Sequence, residues 1–390
     1  MKTTGIAFGL AAFIGLAGSG VVARVQPEAS ERPSPAKMPR AAGEIAFNAE
    51  TFVEGIEVPW AIAFLPDGSM LFTERAGRVR IVKDNMLDEK PVYEVPGLWT
   101  GGGEIGLMGL CLHPEFKDNG FVYISYGYRP DKDIRVERFV YKDGGFTDGT
   151  VIIKGFPAAA NHAGCKVAFG PDKKLYITVG ERFRKELAQD MSSLGGKILR
   201  LNDDGSIPED NPFVGKDGSR PEIWAFGARN PQGLDWHPET GVMFDTEHGP
   251  SGEPGLKGSR SDGDEFNVVK KGDNLGWPLI HHDQKQDGLV TPLIQWTPAV
   301  APASGVFYKG SLFPQLTGNY LVGMLRGTRL VRIVLEGEKV VKEETLLEGV
   351  GRIRCVAEGP DGSIYVATSN RDGRGRPAAI DDRIFRLTPR

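Results

Sequence analysis

An internal repeat is the feature of this chain that most restricts its fold. The repeated unit is an apolar pair, a turn of the Pro-Asp-Gly type and an alternating strand, and it returns roughly every 45 to 70 residues. Each copy predicts a β-hairpin, because Pro presets φ in the turn and Gly accepts a positive φ. Six copies are recognisable, beginning at Ala61, Gly109, Lys166, Gly233, Ser304 and Cys355.

A second alternating segment, in most copies carrying Arg or Lys, follows every hairpin. Small sheets of this kind cannot bury both faces alone, but radial packing lets them cover one another around a central channel. We therefore predict an all-β fold, a six-bladed β-propeller of four-stranded antiparallel sheets, in preference to a β-sandwich or a solenoid. The segment from Ile45 to Val53 is expected to add a strand to the last blade and close the ring. The segments that follow the hairpins are 78–82, 135–140, 197–201, 265–269, 329–333 and 383–387.

The N-terminal region differs from the repeats. Lys2 precedes an apolar run from Ile6 to Ala17, and a cleavage site follows Ala23, so residues 1–23 are predicted to be a secretory signal peptide. An uncleaved membrane anchor is less favoured because this run is short for a span. The Pro-rich residues 24–43 are predicted to be a flexible leader, which leaves 44–390 for the propeller. We expect a periplasmic or secreted protein with no membrane span after signal removal.

Charge and cysteine content exclude some classes of protein. The net charge is −4, from 47 basic and 51 acidic residues, so there is no overall basic excess of the kind that nucleic-acid binding favours. Cys111, Cys165 and Cys355 are too few for a disulfide framework and allow at most one bridge. Because each lies in or beside an apolar segment, we predict three buried thiols.

In a propeller, ligand sites lie where the loops of the innermost strands converge at one mouth of the channel. His162, in Asn161-His162-Ala163-Gly164, directly precedes the third inner strand. Histidine is the commonest general base, although a loop histidine bonded to backbone is the alternative. Long irregular insertions are predicted at 182–196, 202–222, 250–263 and 272–303, and such loops are often functional.

Four arginines occupy comparable loop positions in three blades. Arg229 leads into the fourth inner strand, Arg326 follows the fifth hairpin, and Arg352 and Arg354 precede the sixth inner strand. If all four face the channel they form an anion site, because guanidinium forks suit carboxylates. The alternative is a set of surface arginines whose stems lie on the sheet edges.

The motif Glu247-His248-Gly249-Pro250 begins the insertion of the fourth blade. A tight turn here would expose the carbonyls of Gly249 and Pro250, which are hard oxygen ligands suited to calcium. Asp264-Glu265 and the segment 274–277 offer further carboxylate and carbonyl oxygens. As a bare pattern, a Gly-Pro turn is more often only a turn.

These motifs together resemble the soluble aldose sugar dehydrogenases that depend on pyrroloquinoline quinone (PQQ), the glucose/sorbosone dehydrogenase family. The resemblance extends from about Ala46 to Leu387. It is most specific in the segments 194–202, 205–213, 227–233, 247–250 and 274–278.

The resemblance implies a six-bladed propeller that oxidises the C1 hydroxyl of an aldose to a lactone by hydride transfer to PQQ, with Ca²⁺ as Lewis acid. It implies that His162 is the general base for the C1 hydroxyl and that Glu181 orients it. The implied cofactor contacts are Glu104, Arg229, Asn230, Gln232, Arg326, Arg352 and Arg354.

The resemblance also implies two calcium sites. The carbonyls of Gly249 and Pro250 would hold the ion beside PQQ, and Glu265 with the carbonyl of Leu275 would form a second, structural site. This chain departs from one branch of the family in Glu104, which replaces an amide, and in Arg326, which replaces a lysine.

Two other functions stay open from the residues alone. Calcium-dependent lactonases are six-bladed propellers too, but they need channel carboxylates where this chain has arginines. A non-enzymatic propeller that binds carbohydrate or protein would have no affinity for PQQ. For the dehydrogenase, the expected partners are a small aldose and a separate electron acceptor, a quinone or a cytochrome, because the haem motif Cys-x-x-Cys-His is absent from the sequence. Both a monomer and a dimer are compatible with the sequence.

Overall fold

The computed structural model describes residues 45–252 and 262–390, and the backbone of residues 40–41. The predicted signal peptide and all of the predicted leader except Arg40 and Ala41 lie outside the described residues. In the described part, six antiparallel sheets form the six blades of a β-propeller with almost no helix, which confirms the predicted fold.

Two N-terminal strands pair with sheets formed later in the chain. They are β1 (Arg40–Ala41) and β2 (Phe47–Val53). The first three blades then follow in order. Blade 1 contains β3 (Pro59–Phe64), β4 (Met70–Glu74) and β5 (Arg78–Lys83), with short β6 (Met86–Leu87) and β7 (Tyr93–Glu94) on its outer edge. Blade 2 contains β8 (Leu107–Leu112), β9 (Phe121–Tyr128), β10 (Asp133–Lys142) and β11 (Gly145–Phe156). Blade 3 contains β12 (Val167–Phe169), β13 (Leu175–Val179), β14 (Lys197–Leu201) and β15 (Ile223–Phe226).

The remaining blades repeat this arrangement. Blade 4 contains β16 (Pro231–Trp236), β17 (Met243–Glu247), β18 (Asp264–Val269) and β19 (Ile294–Trp296). Blade 5 contains β20 (Pro302–Phe307), β21 (Tyr320–Met324), β22 (Arg329–Glu336) and β23 (Lys339–Glu348), with β1 on its outer edge. Blade 6 contains β24 (Ile353–Glu358), β25 (Ile364–Thr368) and β26 (Ile384–Pro389). Helical elements include α1 (Phe116–Asn119) and the 3₁₀ turns Lys185–Ala188 and Pro314–Leu316.

The ring is closed by pairing the N-terminal strand with the last blade. β2 runs antiparallel to β26, from Phe47 opposite Pro389 to Val53 opposite Ile384. This confirms the prediction made for the segment from Ile45 to Val53. A strand from the N-terminal part of the chain thus completes the last blade, so that hydrogen bonds as well as side-chain packing close the ring.

Apolar layers between neighbouring blades hold the ring together. Second strands such as β4, β13 and β17 are buried along their whole length, because both of their faces meet another blade. Aromatic residues fill the layer between blades 4 and 5, where Phe244 and Phe266 stack with ring centroids 5.4 Å apart and Phe307 meets Tyr320 at 5.0 Å. Edge-to-face and offset contacts of this kind are favourable for buried rings.

Some details differ from the predictions. The insertion 272–303 was predicted to lack regular structure, but it contains β19 and the first residues of β20. Cys165 and Cys355 are buried free thiols as predicted, whereas Cys111 is a free thiol that is only half-buried. Arg354 lies within β24 rather than in the loop before it. No helix in the described part of the chain is long and apolar enough to cross a bilayer.

Candidate functional site

A cavity of about 400 Å³ opens at one mouth of the channel. Its lining comes from the loops that precede the first strands of the blades and from the loops that follow the second strands. Because neighbouring strands of each blade are antiparallel, the start of the first strand and the end of the second lie at the same end of the sheet. This rule brings residues from blades 2 to 6 into one pocket.

Six of the thirteen sequence-predicted site residues meet here. Glu104, His162, Arg229, Arg326, Arg352 and Arg354 all line the cavity. His162, Arg229, Arg352 and Arg354 are at least nine-tenths buried, and Glu104 is 6% exposed. Arg326 differs, since it lies at the exposed rim and forms an ion pair with Asp262.

His162 is held by a buried carboxylate. Its Nδ1 lies 2.7 Å from Oε1 of Glu181, which is 1% exposed. When Nδ1–H donates to the carboxylate, the neutral imidazole keeps its lone pair on Nε2, the atom that can accept a proton. Within the described residues, the second oxygen of Glu181, Oε2, is buried without a hydrogen-bond partner. Oε1 is therefore the oxygen through which this carboxyl group holds the imidazole.

The loop conformation of His162 depends on a close backbone approach. His162 has a φ of 54°, and its carbonyl packs against Gly180. A Cβ at Gly180 would lie 2.1 Å from the carbonyl oxygen of His162 and 2.8 Å from Oδ1 of Asn230. Only glycine fits between these two groups.

An aromatic ring that sequence reasoning did not identify covers His162. The ring centroid of Phe183 lies 3.8 Å from that of the imidazole, with an interplanar angle of 32°. Phe183 is 59% exposed and lines the cavity. Its position within the predicted insertion 182–196 was the only available signal, because a single Phe in a loop has no distinctive pattern.

Lys197 anchors the insertion that carries Phe183. Its Nζ is buried and donates to the carbonyls of Leu187 (2.7 Å), Ala188 (3.0 Å) and Gly195 (2.7 Å). Burial lowers the pKa of Lys197 to about 7. One side chain at the start of β14 thus ties the middle of the loop beside the cavity to its C-terminal end.

Two of the predicted cofactor contacts lie beneath the cavity rather than in its lining. Gln232 donates from Nε2 to Oδ1 of Asn230 (3.0 Å), and Asn230 donates from Nδ2 to Oε2 of Glu104 (3.1 Å). Arg354 donates from Nη1 to Oε1 of Gln232 (2.8 Å). Asn230 and Gln232 are fully buried, so this network positions Glu104 and Arg354 from below.

Glu104 is an anion in this environment. Burial by itself would raise the pKa of Glu104, but His248, His162, Arg354 and the Asn230 hydrogen bond hold that pKa below its ordinary value. The carboxylate also accepts from the backbone N–H of Ala163 (3.3 Å). Its charge is therefore paired within the site rather than removed by protonation.

The buried arginines are fixed by different partners. Arg352 forms an ion pair with Asp372, with Nε 2.8 Å and Nη2 2.7 Å from Oδ2. Arg354 lies over Trp60, its guanidinium carbon 5.6 Å from the ring centroid, and burial lowers its pKa to about 10. Arg229 donates from Nη1 to the carbonyl of His248 (3.1 Å).

A fifth arginine lines the cavity and was missed from the sequence. Arg374 donates from Nη2 to Oδ1 of Asn161 (2.7 Å), the residue before His162. The bond crosses the mouth from the loop before β26 to the loop before β12. The alternation of Arg371, Arg374 and Arg376 in one loop was the signal that could have drawn attention to this segment.

The Gly249-Pro250 turn lies beside the cavity, between the lining residues His248 and Ser251. The N–H of Gly249 donates to Oδ1 of Asp264 (3.1 Å), and the carbonyl of Pro250 accepts from the N–H of Gly263 (3.0 Å). Burial lowers the pKa of His248 to about 3, and its Nε2 lies 3.0 Å from the carbonyl of Pro302. The turn is therefore rigidly held.

Asp264 links this turn to blade 5. Its Oδ2 accepts from the N–H groups of Val300 (2.7 Å) and Ala301 (2.6 Å), while Oδ1 accepts from Gly249. Burial raises the pKa of Asp264 to about 6. Three backbone donors on one carboxylate fix two loops of the mouth relative to each other.

Behind the turn, carboxylates accumulate on one face of blade 4. Glu247 lies opposite Glu265, and Asp245 lies opposite Asn267, in the pairing of β17 with β18. Burial raises the pKa of Asp245, of Glu247 and of Glu265, the last to about 7. In the described chain, both oxygens of Asp245 and Oε2 of Glu247 have no hydrogen-bond partner. Carboxylate oxygens of this kind suit a hard cation. Among the described residues, however, no three Asp, Glu, His or Cys side chains are already arranged to hold a metal ion.

The fourth predicted metal ligand lies in the same region of the chain but is fixed to blade 3. Leu275 is buried, and its N–H donates to the carbonyl of Phe226 (2.7 Å). Its neighbour Gly276 has a φ of 94°, and a Cβ there would lie 2.3 Å from the Ile280 side chain. The loop after β18 is therefore packed tightly against blade 3.

The fold and this site define a class of protein: a β-propeller with an arginine-lined cavity and a buried His–Glu pair at one mouth of its channel. The Glucose / Sorbosone dehydrogenase family model matches residues 56–380. The chain belongs to this family.

Relatives and solved structures agree with this assignment. The chain is 32% identical to aldose sugar dehydrogenase YliI of Escherichia coli K12, over 84% of this chain and 91% of that protein. It is 31% identical to quinoprotein glucose dehydrogenase B of Acinetobacter calcoaceticus, over 60% of this chain and 53% of that protein. The PQQ-bound aldose sugar dehydrogenase of Streptomyces coelicolor superposes with a TM-score of 0.77 at 33% identity, covering 90% of this chain and 99% of that one.

Proposed function

We propose that this protein is a quinoprotein dehydrogenase that oxidises the C1 hydroxyl of aldose sugars to lactones, with PQQ as cofactor and Ca²⁺ as Lewis acid. The observation that carries the proposal is the His162–Glu181 pair at the edge of an arginine-lined cavity. The pair supplies a base for a hydroxyl proton, and the arginines supply charge for an anionic cofactor.

The lining fits PQQ in charge and in rigidity. PQQ carries three carboxylates, and among the described residues five arginines line a cavity whose acids are Glu104 and Asp264. Arg229, Arg352 and Arg354 are buried, so their charges are only weakly screened by water. When bound, PQQ would accept the hydride from the sugar, with calcium polarising its quinone carbonyl.

His162 acts on the sugar hydroxyl in this proposal. Nε2 takes the proton from the C1 hydroxyl while Glu181 stabilises the imidazolium that forms. Phe183 covers one face of the imidazole and limits the access of water to it. The bond from Arg374 to Asn161 holds the loop of the base from across the mouth.

The proposed calcium ligands are the carbonyls of Gly249 and Pro250, with Glu265 and the carbonyl of Leu275 for a second ion. The clamped turn supports the first site, since carbonyls fixed by neighbouring bonds lose little entropy on binding an ion. The unpartnered oxygens of Asp245 and Glu247 beside Glu265 support the second site. A cation there would replace the protons that burial otherwise favours on these acids.

The wider setting is also part of the proposal. We infer a periplasmic or secreted enzyme that receives small aldoses and passes electrons to a separate quinone or cytochrome. Residues 1–23 would direct export and then be removed.

Reconstitution tests the proposal. The purified protein is titrated with PQQ in the presence of Ca²⁺, and the oxidation of a panel of aldoses is followed by dye reduction. We expect saturable binding and turnover. His162→Ala should lower kcat by about 10²–10⁴-fold without loss of PQQ binding. His237→Ala is the matched control, because His237 packs edge-to-face against Phe307 and does not line the arginine-lined cavity.

Each alternative predicts a different result. If PQQ alters neither the absorbance spectrum nor the melting temperature, the protein is a binding propeller and not a quinoprotein. Calcium-dependent hydrolysis of lactones without PQQ would indicate a lactonase instead. An unchanged kcat in His162→Ala would remove this residue from the mechanism.

A further inference from the structure

A second cavity, of about 610 Å³, lies at the opposite mouth of the channel. It is lined by residues from the later parts of the first strands of blades 1, 3, 4, 5 and 6, and it shares no lining residue with the arginine-lined cavity. Its volume is within the range of small-molecule binding sites, roughly 300–1,000 Å³. Nothing in the proposed dehydrogenase reaction uses it.

The walls of this second cavity are mainly apolar. Aliphatic and aromatic side chains from five blades make most of the lining, and they include Ile62, Phe64, Ala168, Leu234, Trp236, Val306 and Ala357. A sugar would find side-chain hydrogen-bond partners mainly at the charged residues of the lining, and burying its hydroxyl groups against the apolar walls would be costly. The walls instead suit a ligand with an apolar body.

Three lysines line this cavity: Lys117, which is exposed, Lys309, which lies 3.7 Å from a carboxylate oxygen of Asp235, and Lys166. Lys166 extends from the start of blade 3 to Ser304 of blade 5, where Nζ donates to Oγ at 2.9 Å. The same ammonium acts electrostatically on the thiols of Cys111 in blade 2 and Cys355 in blade 6. Lys166 therefore lies across the interior of the channel rather than on its outer surface.

The acids of this mouth are already engaged. Asp235 accepts from the N–H groups of Trp236 (2.8 Å) and Phe307 (2.7 Å) and lies 3.7 Å from Nζ of Lys309. Glu358 accepts from the N–H of Lys309 (2.6 Å). In the described part of the chain, Lys166 has Ser304 as its side-chain partner and no ion pair. An ammonium has three N–H donors, so two remain for a ligand.

We propose that this cavity binds a small monocarboxylate with an apolar body, such as a medium-chain aliphatic acid. The carboxylate pairs with Lys166, and the body packs against Ile62, Leu234 and Val306. A carboxylate forms charge-assisted hydrogen bonds with the Lys166 ammonium, and an aliphatic body covers the apolar walls without burying polar groups that lack a partner. PQQ fits the site poorly, because its three carboxylates would meet the acids Asp235 and Glu358 as well as Lys166.

Calorimetric titration with sodium octanoate tests the proposal on the purified full chain, with and without PQQ. We expect one site whose affinity is unchanged by PQQ. Octanamide, which has the same body without the charge, should bind roughly 10- to 100-fold more weakly, because hydrogen bonds to charged groups are the stronger ones. Lys166→Met should cause a similar loss, and Lys166→Arg should retain most of the affinity.

Two further variants keep the test decisive. Ile62→Trp fills the cavity from blade 1, leaves the ammonium in place and should abolish binding, which covers the case in which Lys166→Met folds poorly. Arg326→Ala alters the other mouth and should leave octanoate affinity unchanged. Loss of binding in Arg326→Ala, or competition by PQQ, would assign octanoate to the arginine-lined cavity. Equal affinity for octanamide, or no detectable binding of octanoate, would overturn the proposal.

Discussion

Replacing Glu181 by Gln removes one charge from the site and leaves its shape nearly unchanged. The amide can take either of two orientations. In one, its oxygen stays 2.7 Å from Nδ1 of His162, and the NH₂ group takes the place of Oε2, which has no partner among the described residues. In the other, the NH₂ group faces Nδ1 and forces the proton of the imidazole onto Nε2, so that this atom can no longer act as a base.

Both orientations reduce the rate, for different reasons. The first forfeits the stabilisation of the imidazolium by a charged acceptor, which contributes roughly 1.5–3 kcal/mol, or about 10- to 150-fold in kcat. It also leaves a buried NH₂ group without an acceptor, at a cost of about 1–3 kcal/mol in folding. The second removes the reactive tautomer from most molecules. We therefore expect Glu181→Gln to lower kcat by about 10²–10³-fold with little change in PQQ affinity.

The assay is dye-coupled oxidation of an aldose by the PQQ-reconstituted protein, with PQQ affinity and melting temperature measured on the same sample. Glu222→Gln is the matched control, because Glu222 is a carboxylate only 8% exposed that is paired with Arg220 near blade 3, away from the cavity lining. It should lose stability without losing kcat. If kcat of Glu181→Gln stays within twofold of the unmodified protein, the carboxylate does not act through His162.

Four further results are expected. Gly180→Ala should lower the free energy of unfolding, measured by urea denaturation, by about 1–3 kcal/mol and should reduce kcat, because its Cβ would meet the His162 carbonyl at 2.1 Å. Gly145→Ala, which has no neighbour closer than 3.9 Å, should change the free energy of unfolding little. Arg354→Met should weaken PQQ binding about 10- to 100-fold in a fluorescence titration. Burial lowers the pKa of Lys197 to about 7 from 10.5, so between these pH values the unfolded chain binds more protons than the folded protein. The free energy of unfolding should therefore rise with pH across this window, and Lys197→Met should lack this pH-dependent part of the stability. Calcium chelation should lower the melting temperature, because it leaves the buried carboxylates of blade 4 without a counter-ion. The decrease should be smaller in Asp245→Asn, which has one buried carboxylate fewer.

Much of the fold was predictable because its signals are local. The Pro-Asp-Gly turns and the alternation beside them lie within about twelve residues of one another, and they predicted six hairpins and the closing strand. The outer strands carry weaker signals. β19 has only three residues and lies within a segment that was predicted to be irregular. Its pairing with β18 and its packing against blade 5 make it a strand, whereas its own β propensity is too weak a signal to predict one.

The site was predictable in part. The Asn-His-Ala-Gly loop and the arginines that precede inner strands pointed to His162, Arg229 and Arg352, which the structure places in one cavity. Phe183 and Arg374 had no motif to mark them, since their roles depend on contacts with loops that are distant in the chain. The same holds for Lys166, whose partner Ser304 lies two blades away.

The amino-acid sequence by itself determined the number of blades, the direction of each hairpin and the residue types available at each loop, because turn chemistry and strand alternation act over a few residues. Only the tertiary structure decided which of those residues share a cavity. Closing six sheets into a ring sets the distances between loops that are 50 to 300 residues apart, and no local pattern encodes that closure. The same ring closure left one mouth lined with arginines and the other with mainly apolar walls that include the Lys166 ammonium.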